Sequence, residues 1–111
     1  MRLRVAVIAV ALSAVPVAAN YYNTYAEWDR MNEAGRIAYM AGSYDMLITL
    51  STTSEATGIH YGLCLTKAKL NAEQLADNVR AFVRTRPELL GQPPQAGLVR
   101  FLVQMCGAPP D

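Results

Sequence analysis

Two cysteines, Cys64 and Cys106, follow an apolar N-terminal run, and no other feature constrains the fold of this chain as strongly. Thiols in a small exported domain meet an oxidising compartment and pair with each other. Such a bond ties the middle of the chain to its end. On a chain-entropy model, closing a loop of this length contributes about 4 kcal/mol. That is a large share of the roughly 5–15 kcal/mol by which a domain is stable. A core this small needs such a staple.

The run itself reads as an export signal. Arg2 and Arg4 precede an apolar stretch from Val5 to about Val17, and Val17-Ala18-Ala19 supplies the small residues of a cleavage site. Cleavage is expected after Ala19, leaving residues 20–111 as a single domain. The competing reading is a membrane anchor, but the run is short of the roughly 20 residues needed to span a bilayer. Removing Arg2 and Arg4 leaves eight basic residues against nine acidic ones, so the net charge moves from +1 to about −1. That balance argues against nucleic acid or anionic lipid as a partner. The compartment implied is the periplasm, with full secretion as the alternative, and no membrane association after cleavage.

Apolar spacing points to helices throughout. Thr24 and Glu27 form a capping-box pattern, and a long helix is expected from about Tyr25 to Leu50. Gly35, Ala38 and Gly42 lie near one face of it. They read as a close helix crossing within the monomer, as a kink near Gly42, or as a self-association seam. Ser51–Gly62 is hydroxyl-rich and glycine-punctuated, and reads as a loop. Asn71 and Gln74 cap a second helix with the buried stripe Leu75, Val79, Phe82 and Val83, and Arg86-Pro87 ends it. Pro93-Pro94 opens a third, carrying Leu98, Val99, Leu102, Met105 and Cys106. No segment alternates with the period of a strand. The fold class is all-α: a small disulfide-stapled bundle of three main helices plus short turns.

The residues offer little chemistry. His60 and Cys64 are four apart and Cys106 could approach them, but one histidine and two cysteines bonded to each other fill neither a metal's coordination sphere nor a nucleophile–base pair. No catalytic residue, metal or cofactor is assigned. Arg80, Arg84 and Arg86 with Lys67 and Lys69 read as an anion patch or, more simply, as a solvated face balanced by Glu73 and Asp77. Tyr25 and Trp28 are expected to close the core, with Tyr21 and Tyr22 exposed.

As a string, the chain resembles the Rap/Tai immunity proteins. The matching residues are Arg36–Asp45, Cys64, Leu70–Leu75, Phe82-Val83, Arg86-Pro87-Glu88 and Met105-Cys106. Leu65 and Met105 depart from it, standing where the family often has proline. The resemblance implies a periplasmic protein that binds a type VI secretion effector of the peptidoglycan amidase class and blocks it sterically. Some family members pair, so a homodimer is also among the implied partners. The presented element would be Ser51–Gly62, through Glu55, Ile59, His60 and Tyr61; the plainer reading is a surface connector. Competing readings are an acid-stress chaperone of the HdeA kind, a protein of this fold with no effector, and, last, a small secreted enzyme.

Overall fold

The structure, a computed structural model, describes residues 24–50 and 55–110. The segment expected to be an export signal, residues 1–19, the tyrosines at 21 and 22, and residues 51–54 lie outside the described residues. The elements are α1 (Tyr25–Asp29), α2 (Glu33–Leu50), α3 (Glu55–Lys67), α4 (Ala72–Arg84), a 3₁₀ turn (Pro87–Leu89) and α5 (Pro94–Cys106). The fold is all-α, with no strand among the described residues. No helix among them is long and apolar enough to cross a membrane.

The single long helix expected over 25–50 is divided at Arg30–Asn32. The Asn32 side chain accepts the Gly35 amide at 2.7 Å, which starts α2 afresh. Ahead of that break, Thr24 Oγ1 caps α1 by accepting the Glu27 amide at 3.2 Å. Glu27 does not close the box on the backbone; its carboxylate takes the Thr24 hydroxyl instead, at 3.2 Å. The remaining free amides of α1 go elsewhere. Tyr25 N–H donates to the Gln92 carbonyl at 2.7 Å and Ala26 N–H to that of Leu90 at 3.3 Å. The short helix is thereby sewn to the turn that leads into α5.

Helix α4 forms with the caps its sequence predicts, but Phe82, expected in its buried stripe, is only half-buried, and Ala76 joins the inner face instead. Asn71 Oδ1 accepts the Gln74 amide at 2.8 Å, and Gln74 Oε1 accepts the Asn71 amide at 2.9 Å. Leu75, Ala76, Val79 and Val83 are buried along its inner face. Helix α2 packs mainly on α4, while α5 touches each of the other four helices. Around α5 the core gathers Tyr25, Trp28, Met40, Tyr61, Leu65, Leu98 and Leu102. Trp28 is fully enclosed, and its indole N–H donates to the Arg36 carbonyl at 3.3 Å. The 3₁₀ turn adds Leu89 beneath Pro87, which ends the preceding helical run.

The expected close crossing at Gly35, Ala38 and Gly42 is not where helices approach most tightly. Gly35 sits against its own cap, with Met31 Cε 2.8 Å from an added Cβ, whereas Gly42 faces open space. Gly97 makes the close approach instead: a Cβ there would lie 2.8 Å from Val83 Cγ2 on α4. Its neighbours Leu98 and Leu102 fill the seam on either side.

Cys64 and Cys106 are bonded, with Cα atoms 5.7 Å apart, and join α3 to the last residue of α5. A disulfide of this kind is consistent with an oxidising compartment.

Candidate functional site

The stretch read as a presenting loop is mostly helix. Glu55–Lys67 forms α3, so Glu55, Ile59, His60 and Tyr61 lie on a helical surface and only residues 51–54 remain outside the description. The helical period then sorts the four residues by direction. Tyr61 and Leu65, one turn apart, point inward; Tyr61 is buried, which lifts its phenol above its ordinary range. Tyr61 is therefore a core residue rather than a partner contact. His60 is half-buried, with its ring edge-on to Tyr61 at 5.2 Å. Its Nε2 donates to the Gly107 carbonyl at 2.9 Å, just past the end of α5. Together with the disulfide, this contact fixes the end of α5 on α3.

The other two residues face outward. Glu55 and Ile59 begin a row at four-residue spacing that Leu63 continues. Ile59 and Leu63 are 58% and 66% exposed, adjacent, and next to the disulfide anchor at Cys64. Leu63 is not among the residues expected from sequence, because the loop reading of Ser51–Gly62 stops one residue short of it and hides the helical row that reaches it. Spacings of four from Glu55 to Leu63 and from Tyr61 to Leu65 were the available signals.

Of the basic residues read as a patch, Arg80 and Arg86 are engaged by neighbouring side chains. Arg80 Nε donates to Asp29 Oδ1 at 2.6 Å, bracing α4 against α1, and this bond raises the guanidinium's affinity for its proton. Arg86 lies 4.4 Å over the Phe82 ring and donates to Gln104 Oε1 at 2.6 Å. Arg100 reaches Glu88 only at 3.6 Å, on the surface. Both cysteines are bonded, and no group of three or more His, Cys, Asp or Glu among the described residues could hold a metal ion.

A second surface is a groove of about 490 Å³ between α2 and α5. It exposes Met46, Leu50 and Val99 at its edges. Sequence reasoning gave none of the three a binding role, and the apolar spacing that placed Val99 with the stripe of its helix leaves it at the edge of this groove. No known family model, curated protein or solved structure matches the chain.

Proposed function

We propose that this protein is an exported binding protein of the immunity type, which docks on a secreted peptidoglycan amidase and excludes its substrate sterically. The observation that supports this reading is the row Glu55–Ile59–Leu63 on the outer face of α3. It presents two adjacent aliphatic side chains beside a carboxylate, on a helix anchored covalently at Cys64. A rigid helix carrying spaced apolar anchors binds with little ordering cost. The charged neighbour at the edge of the row would tune orientation and association rate rather than affinity. Blocking a cleft needs only shape and persistence, so the protein's own residues perform no chemical step.

The reading is tested by producing a candidate effector amidase in the periplasm, with and without the protein. Protection from lysis is the expected result; equal lysis in both strains rejects it. Ile59→Asp with Leu63→Asp should abolish protection while leaving the melting temperature unchanged within about 2 °C, because both side chains are exposed. Full protection by that variant would move the contact off α3.

A further inference from the structure

Helices α4 and α5 enclose a groove that shares no residue with the outer row of α3 and is independent of the effector reading. Two hollows, of about 480 and 290 Å³, meet in it at Phe82 and Gln104. The first is floored by the Phe82 and Phe101 rings, which stand edge to face at 5.9 Å, and Met105 lines it too. The second is cationic, because Arg86 and Arg100 line it together with Val103. No carboxylate lines either hollow.

Holding a long arginine side chain in one place costs rotamer entropy. Arg86 is held all the same, and by neutral groups. Its guanidinium lies 4.4 Å over the Phe82 ring, Nη2 donates to Gln104 Oε1 at 2.6 Å, and Nη1 donates to Thr85 Oγ1 at 3.3 Å. None of these partners carries a charge, so the positive charge stays uncompensated and the remaining N–H donors are positioned in advance of a ligand. Arg100 brings a second guanidinium to the same hollow. Its carboxylate contact among the described residues, Glu88, lies at 3.6 Å with both side chains half exposed, which is beyond hydrogen-bond length. Two guanidiniums around one hollow repel each other, and a carboxylate between them relieves both.

We propose that this groove binds an acidic peptide segment of a partner protein. A carboxylate would sit between Arg86 and Arg100, and an apolar side chain of the same segment would enter the hollow at Phe82, Phe101 and Met105. Arginine clusters recognise acidic motifs in this way, with the planar fork supplying direction as well as charge. Length sets the spacing of the two features. From Asn78 to Thr85 the groove runs about 10 Å along α4, which an extended peptide covers in about three residues. Asp77 adjoins Asn78 at the far end, so a peptide lying the other way would set acid against acid. A free anion would satisfy the guanidiniums but leave the aromatic hollow beside them unused.

NMR titration of the disulfide-intact protein with the peptide acetyl-Phe-Ser-Ser-Glu-amide tests the proposal. Saturable shifts of the Arg86 and Arg100 Nε–H signals and of the amides around Phe82 are expected, at a Kd of about 1 mM or tighter. Replacing the peptide's Glu by Gln, or its Phe by Ser, should each weaken binding about tenfold. Arg86→Gln should do the same. Arg100→Gln, which removes a half-exposed side chain, should weaken it about threefold, and both variants should keep the dispersed amide spectrum of the folded protein. No saturable shift, or unchanged affinity in Arg86→Gln, would overturn the proposal. Sodium acetate binding as tightly as the peptide would make the groove a simple anion site and overturn the peptide assignment.

Discussion

Tyr25 places its hydroxyl in the core with no hydrogen-bond partner, the only such buried side-chain atom among the described residues. Burial and the nearby Asp29 carboxylate push its pKa up to about 12. The neutral phenol is thus the form compatible with folding. Since the unfolded chain titrates near the ordinary value of about 10, the stability tied to this group is complete below pH 10 and falls as pH rises toward 12. Tyr25→Phe should raise stability at neutral pH by about 1 kcal/mol, by removing the unmet hydroxyl. It should also flatten the alkaline decline, read as the urea midpoint between pH 9 and about 12. Gly97→Ala should do the opposite. The added methyl would meet Val83 Cγ2 at 2.8 Å, so overpacking of about 1–3 kcal/mol is expected in the same urea assay. The sequence signalled the burial of Tyr25 through its place beside the cap, but not the role of Gly97. A glycine inside an apolar run carries no mark of which neighbour approaches it.

Among the elements, α4 and α5 were legible because their caps, prolines and apolar stripes agree with one another. Helix α3 was not. Its segment contains Thr57, Gly58 and Gly62, poor helix formers whose local preference tertiary packing overrides. Tyr61 and Leu65 supply that packing, and Gly58 allows Ile48 Cγ2 to within 3.1 Å of an added Cβ. The break between α1 and α2 was missed for a related reason. Asn32 looks like one more polar helix position until its side chain is seen to cap Gly35. Helix α3 stops in a Schellman arrangement, with Leu70 N–H on the Leu65 carbonyl and Lys69 N–H on that of Thr66. Lys69 holds the left-handed position at φ 58°, where an L side chain is strained. Lys69→Gly should therefore raise stability by about 0.5–1 kcal/mol, measured by chemical denaturation.

The molecule as a whole is a small core held by one covalent tie between α3 and the end of α5. The sequence made that tie predictable, since the only two cysteines of a small domain expected to be exported have few other fates. The surface it braces was legible only in part. Glu55 and Ile59 do face outward, but Tyr61 had to be in the core for the helix to pack at all. Helix α5 draws on every other helix, and its last residue is Cys106, so the bond and the His60–Gly107 contact act at one end of the central element. Loss of the bond should free that end in the unfolded ensemble and cost about 2–5 kcal/mol. The direct measurement is the melting temperature of the oxidised protein against that of Cys64→Ala/Cys106→Ala. A fall of about 10 °C or more is predicted for a domain of this size. Curves that coincide within about 2 °C would contradict the claim that the disulfide holds this bundle together.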